Sequence, residues 1–379
     1  MRPLHGSLTV MRIGRIPIRV HWSLWLILPY LAFAIGHQFQ GAARLAGVQA
    51  SRLSATPYLW GLGLAVALFA CVLLHELSHV AVGLRVGAEV RDVTLMMLGG
   101  VTNMTRLPRR ARLEGLMAVA GPFASGLLAA GFLLLYHAVP ARLHDLRFGC
   151  FYLGEINLVL AVFNLLPAFP MDGGRILRAL FQIWMGRLRA TQTAAQVGRV
   201  LAVGLGALGL YSGNFVLAFI AVFVFLGAGG ETAQIELEEL IGGLTVRQVM
   251  ERHPPMVDPQ ATVAEIAARM TLDGSPAFFV VMADGSLLGA LTAGQLRAIP
   301  AALLPLTHVT ELMRTAIPTT GLDRPLEEAL RLLAQSSFPL LPVVEGGRLV
   351  GAVGPQLLEA LRREKDPSRA APALRRREA

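Results

Sequence analysis

A run of about 20 apolar residues is long enough to cross a bilayer as a helix, and this chain contains six of them. They lie near residues 22–42, 58–83, 115–138, 148–170, 193–211 and 214–230. The last two are separated on length: residues 200–230 carry no charge, too many for one relaxed span, and the "YSGN" at 211–214 supplies a turn between two. With 54% apolar and only 16% charged residues, the composition excludes an ordinary water-soluble enzyme. The expected fold is a polytopic α-helical membrane domain over residues 1–230, with six transmembrane helices and a membrane-dipping β-hairpin. A soluble α/β domain follows it.

The net charge of +9 is confined to the apolar part: residues 1–230 hold 19 Arg against 7 acidic residues, and residues 231–379 hold 15 Lys plus Arg against 18. Counted in alternate loops, the basic residues number 4, 6 and 5 on one side (1–19, 85–112, 175–199) and 2, 2 and 0 on the other. That asymmetry is membrane orientation rather than phosphate binding, so no nucleic-acid partner is expected. The chain is expected in the cell membrane of a prokaryote, multi-pass, with the lipid bilayer as solvent and both termini in the cytosol. The first apolar stretch follows Arg12, Arg15 and Arg19 and has no small-residue cleavage site, which makes it a retained span. Cys71 and Cys150 lie in different spans and indicate neither a disulfide framework nor a cysteine zinc site.

Between the second and third spans, "GAEVRDVTLMMLGGVTNMTRL" at 87–107 is rich in β-branched residues and contains Gly99 and Gly100. It reads as a hairpin dipping toward the membrane, where irregular backbone is tolerated only if protein or a wet cavity satisfies it. An ordinary cytosolic loop is the alternative.

Three ionisable groups, His75, Glu76 and His79, sit inside the second span in "LLHELSHV". On a helix the two histidines are one turn apart, about 6 Å along the axis, so both rings can reach one ion, and Glu76 stands beside the first ligand, placed to take a proton from water. Burying such groups in a span costs several kcal/mol in order of magnitude unless they pair or bind a metal. Of the nine histidines, only these two lie deep in a span. A structural histidine pair is the bland reading. Catalytic zinc normally takes three protein ligands, and among the few acids of the membrane half Asp172 is suitably placed, at the end of the fourth span, which Pro167 and Pro170 break. It could instead cap a helix beginning at Gly173. Glu155 falls toward the opposite face and reads as interfacial or paired.

After a linker at 231–243, "LTVRQVMERHPPMVDPQATVAEIAARM" realigns 63 residues on with "THVTELMRTAIPTTGLDRPLEEALRLL", and Met250 matches Met313. Each unit reads strand, helix, two strands about a Gly turn, helix. The repeat resembles a tandem CBS pair over 244–363 (244–300 and 307–363), which implies a regulatory or dimerising role and hence a homodimer. Thr292 is followed by Gln295 rather than Asp, and the second repeat has Gly354 and Leu357, so adenine nucleotide binding stays open. The tail at 364–379 has a disordered composition.

HELSH in one span, the Gly99–Gly100 hairpin, "AGPFASGLL" at 120–128 and "NLLPAFPMDGGR" at 164–175 together resemble the site-2 protease family of intramembrane zinc metalloproteases, in its CBS-bearing subgroup. The resemblance implies one Zn2+ per chain held by His75, His79 and Asp172, Glu76 as general base, and Asn164 at the active site. It also implies single-pass membrane proteins as substrates, with an unwound strand held near Gly99 and Gly100. Many family members have Asn where this chain has Ser125, which is given no role. A CBS-regulated divalent-cation transporter is the alternative; no internal duplication of the spans supports it.

Overall fold

The computed structural model describes residues 6–97, 99–106 and 110–365. It divides into two compact units, Pro3–Glu236 and Leu237–Ala379. In the first, strands β1 (Ser7–Ile13) and β2 (Ile16–His21) precede helices α1 (Ser23–His37), α2 (Phe39–Leu45) and α3 (Pro57–Arg85). Strands β3 (Glu89–Met96) and β4 (Gly99–Arg106) come next, then α4 (Ala111–Ala138), α5 (His144–Asn164), α6 (Asp172–Met185), α7 (Arg187–Tyr211) and α8 (Phe215–Ile241).

Among the described residues five helices, α3, α4, α5, α7 and α8, are long and apolar enough to cross a membrane. At 1.5 Å per residue the 29-residue α3 is about 43 Å long, more than the ~30 Å hydrocarbon core. The expected first span at 22–42 is instead two helices meeting at Gln38, whose backbone leaves the helical region (φ −90°, ψ 4°). Its first part, α1, has 15 residues and reaches only about 22 Å, short of a full crossing. The expected fourth span also ends early. It stops at Asn164, and Leu165–Met171 form the turn that Pro167 and Pro170 impose by removing backbone donors.

The hairpin expected at 87–107 is present as β3 and β4, antiparallel with Met96 opposite Gly99 at the turn. It is half of a larger sheet. Residues taken from the charge pattern as a cytosolic loop fold into β1 and β2, and β2 runs parallel to β3, giving the order β1-β2-β3-β4. One face of β3, Val93 and Leu95, is buried against α3 and its neighbours, while β4 is left as an edge strand with unpaired peptide groups.

The residues expected to form a linker, 231–243, are helical as far as Ile241: α8 continues through them, and Leu240 and Ile241 enter the core of the second unit. That unit contains α9 (Val246–Val249), β5 (Met256–Val257), α10 (Val263–Asp273), β6 (Ala277–Val281), β7 (Leu287–Thr292) and α11 (Ala293–Arg297). The second repeat follows as α12 (Val309–Leu312), α13 (Leu326–Gln335), β8 (Leu341–Glu345), β9 (Arg348–Val353) and α14 (Gln356–Lys365). Its bridges obey the 63-residue repeat: Thr245 pairs with Pro325 and His308 with Thr262, each the other's equivalent after exchange of the repeats. Glu251 with Ala352 and Arg314 with Ala290 are likewise exchanged. The two repeats therefore pack about a pseudo-twofold axis. Residues 366–379 of the expected tail lie outside the described residues.

Candidate active site

His75 and His79 occupy successive turns of α3 on its buried side, 5% and 8% exposed. Asp172, the first residue of α6, is brought against them by the local chain chemistry. Pro167 and Pro170 end α5, and the absence of side chains at Gly173 and Gly174 lets α6 start against the backbones of Leu165–Leu166 and Ala168–Phe169, where a Cβ would come closer than 3.0 Å. The Asp172 carboxylate does not cap the helix. Its Oδ2 lies 3.2 Å from His75 Nε2 and 3.1 Å from His79 Nε2, and the two Nε2 atoms are 3.3 Å apart.

These separations fit a metal. Donors at about 2.0–2.1 Å from a tetrahedral zinc lie about 3.3 Å from one another, and this triangle has sides of 3.1, 3.2 and 3.3 Å. Protonation gives an independent test. The Met117 carbonyl can only accept, so His79 Nδ1, at 2.8 Å, carries the proton and donates it, which leaves a bare lone pair on Nε2 of the neutral ring. His75 is oriented in the same way through Nδ1, 2.9 Å from the Ser125 hydroxyl. The Ser125 hydroxyl can accept from His75 Nδ1 as well, and with both rings in that tautomer three lone pairs face one another. A divalent cation satisfies all three, with each ring's second nitrogen anchored as metal-binding imidazoles usually are.

Met117, Gly121 and Ser125 recur every four residues and form one face of α4 over the site. The middle position admits no side chain. A Cβ at Gly121 would come within 3.0 Å of His79 Nε2 and of His75 Nε2, so glycine keeps open the space beside the two donor nitrogens. The sequence "AGPFASGLL" by itself assigns no role to Gly121 or Ser125. The four-residue spacing on an apolar helix was the available signal.

Glu76 belongs to the same helix and points to the sheet. Its Oε2 accepts a 2.6 Å hydrogen bond from Thr102 Oγ1 on β4. Gly100 lies beneath it: a Cβ there would come within 3.0 Å of Glu76 Cγ and Cδ. The edge strand of the hairpin thus approaches the carboxylate next to the candidate metal ligands. Gly99, with φ +123°, forms the turn. Asn164 ends α5 immediately before the Leu165–Met171 turn, and its side chain donates back to the Leu160 carbonyl at 2.9 Å. No described contact joins it to the three ligands.

A second charged cluster, unforeseen from the sequence, lies on α4, α6 and α8. Arg178 of α6, 2% exposed, pairs with Glu114 of α4 and, at 2.6 Å, with Glu231 of α8. Arg178 had been counted among orienting loop charges; it is a buried structural cation tying three helices together.

The sequence profile of peptidase family M50 matches residues 141–205, and that of the CBS domain matches 246–301 and 309–356. A zinc metalloprotease of Methanocaldococcus jannaschii is 31% identical over 288 residues, covering 76% of this chain and 81% of the relative. Rip3 of Mycobacterium tuberculosis is 32% identical over 373 residues, covering 93% of this chain and 92% of the relative. Among solved structures, the site-2 protease from Methanocaldococcus jannaschii is similar with a TM-score of 0.43 and 31% identity, covering 60% of this chain and 95% of that one. The chain belongs to peptidase family M50, the site-2 protease family of membrane-embedded zinc metalloproteases, and carries a pair of CBS domains after its peptidase unit.

Proposed function

We propose that the chain is an intramembrane endopeptidase that hydrolyses peptide bonds in or near the transmembrane segments of single-pass membrane proteins, with α3, α4, α5, α7 and α8 crossing the bilayer, α1 and α2 together making the first of six passes, and both termini in the cytosol. One observation carries this reading. The donor triangle of His75, His79 and Asp172 forms between a helix long enough to span the bilayer and a helix that starts after the Leu165–Met171 turn, with Glu76 beside it against an edge strand.

His75, His79 and Asp172 would hold a zinc ion, which would supply Lewis acidity toward the scissile carbonyl and the attacking water. The chain's own residues do the rest. Ser125 and the Met117 carbonyl fix the two rings, so the donors are set before substrate arrives. Glu76, held by Thr102, takes the proton of the attacking water and returns it to the leaving amine. A substrate helix must unwind before its carbonyls can be attacked, and the free edge of β4 at Gly99 and Gly100 suits main-chain pairing with the unwound strand. For Asn164 to donate to the developing oxyanion it must exchange its bond to Leu160 for one to substrate.

The CBS pair is assigned a regulatory or dimerising role. At the position where a nucleotide-binding pair would carry an acid, the Gln295 amide donates to the Leu312 carbonyl at 2.8 Å and its oxygen accepts from Thr292. That arrangement supports a first repeat that does not bind a nucleotide through this position.

The test is purified protein in vesicles with a single-pass substrate. Glu76→Gln should abolish cleavage and keep one zinc per chain. Continued cleavage, or uptake of divalent metal into vesicles without proteolysis, would replace this reading with the transporter.

A further inference from the structure

Helix α5 carries an acid that the active site does not use. Glu155 is the twelfth of its 21 residues, close to the middle of a membrane-crossing helix, and its side chain is exposed. No hydrogen bond or ion pair is recorded for it among the described residues. Phe148, seven residues before Glu155 on the same face, is fully buried, so the outward stripe begins at Glu155, and Cys150, Gly154, Asn157 and Ala161 are buried against the neighbouring helices, chiefly α4. Glu155 therefore faces outward, where Leu158, Val159 and Val162 continue the same stripe at helical spacing.

An ionised carboxylate at that depth is costly in lipid, and such groups normally pair or line a path taken by a ligand. The stripe has a direction. It runs from Glu155 to Leu165, 50% exposed, whose backbone abuts Gly173, the residue after the ligand Asp172. A helix lying along α5 would thus have one end at the metal ligands and would meet Glu155 about ten residues, or about 15 Å, farther into the membrane.

We propose that Glu155 is a specificity residue. It selects transmembrane substrates that carry a lysine or arginine about ten residues from the scissile bond, on the side toward the membrane centre. The inference rests on the protease reading above and names the substrate class for that same site. The partner chemistry follows from the charge: a cation on the substrate removes the isolated carboxylate and is itself expensive to leave unpaired in lipid. It adds nothing to the chemical step, so its effect falls on substrate binding.

The experiment uses the full chain in phosphatidylcholine vesicles and two Leu/Ala-rich transmembrane peptides. They differ only in Lys or Gln ten residues from a helix-breaking Asn-Pro pair at the cleavable end. Binding is measured on the inactive Glu76→Gln protein by fluorescence transfer, and cleavage on the wild type by mass spectrometry. The Lys peptide should bind about tenfold more tightly than the Gln peptide, the range for an intramembrane polar pair. Glu155→Gln should abolish the preference, and Glu155→Lys should transfer it to a peptide carrying Glu. Equal binding of both peptides to the wild-type Glu155 background overturns the proposal. So does a loss of self-association on Glu155→Gln with no change in peptide preference, which would assign the acid to a second copy of the chain. A binding preference without cleavage of either peptide would leave the Glu155 assignment standing and refute the protease reading instead.

Discussion

Replacing Gly121 by alanine would add a methyl group within 3.0 Å of both donor nitrogens, His75 Nε2 and His79 Nε2, from a helix backbone that cannot retreat. The rings must move by about an ångström to reach ordinary contact. They are not free to do so, because His75 Nδ1 is tied to Ser125 at 2.9 Å and His79 Nδ1 to the Met117 carbonyl at 2.8 Å. Weakening two such buried bonds costs roughly 1–1.5 kcal/mol each, so metal affinity should fall by about 2–3 kcal/mol, roughly 30- to 150-fold. The assay is zinc per chain by elemental analysis after equilibration with graded chelator, with circular dichroism to show that the helices remain. A Gly121→Ala protein that keeps wild-type chelator resistance would refute the view that this glycine reserves the space of the ion.

Three further perturbations separate the parts of the site. Ser125→Ala removes the His75 anchor and should weaken zinc binding about 10- to 100-fold in the same chelator titration. Gly100→Ala pushes on the Glu76 side chain rather than on the ligands; zinc content should stay at one per chain while kcat falls about 100-fold, the lower range for a lost general base. Arg178→Met strands the Glu114 and Glu231 carboxylates and should destabilise the peptidase unit by roughly 3–5 kcal/mol in thermal unfolding. Adding Glu114→Gln and Glu231→Gln to Arg178→Met should recover most of that loss.

The three candidate metal ligands stand out in the sequence because each contrasts with its background. Two histidines and a glutamate deep in an apolar run have few other physical explanations, and Asp172 stands where prolines end one helix and glycines begin the next. The repeat in the second unit was legible for a different reason: residues 63 apart obey the same pattern, and the exchanged bridges Thr245–Pro325 and His308–Thr262 follow from it. What escaped was whatever depends on neighbours distant in sequence. Arg178 looks like any basic residue near a membrane surface until Glu114 and Glu231, 64 and 53 positions away, are brought to it. Arg12 and Arg19 were read as loop charges, although the strands they occupy form a hairpin whose second strand joins β3. Helix ends were misjudged where apolarity continues past a geometric break, at Gln38 and after Asn164, because hydropathy does not register backbone direction. Gly121 and Ser125 show the same limit: their role is defined by rings on another helix.

The central claim is that two imidazoles from α3 and the carboxylate of Asp172 bind one zinc ion. X-ray absorption at the zinc edge, on wild type and Asp172→Ala purified in parallel, tests it most directly. The account predicts one zinc per wild-type chain with nitrogen and oxygen neighbours at about 2.0–2.1 Å, and loss of that metal in the variant. Full zinc with an unchanged spectrum in Asp172→Ala, or a sulfur neighbour at about 2.3 Å pointing to Cys71, would contradict it.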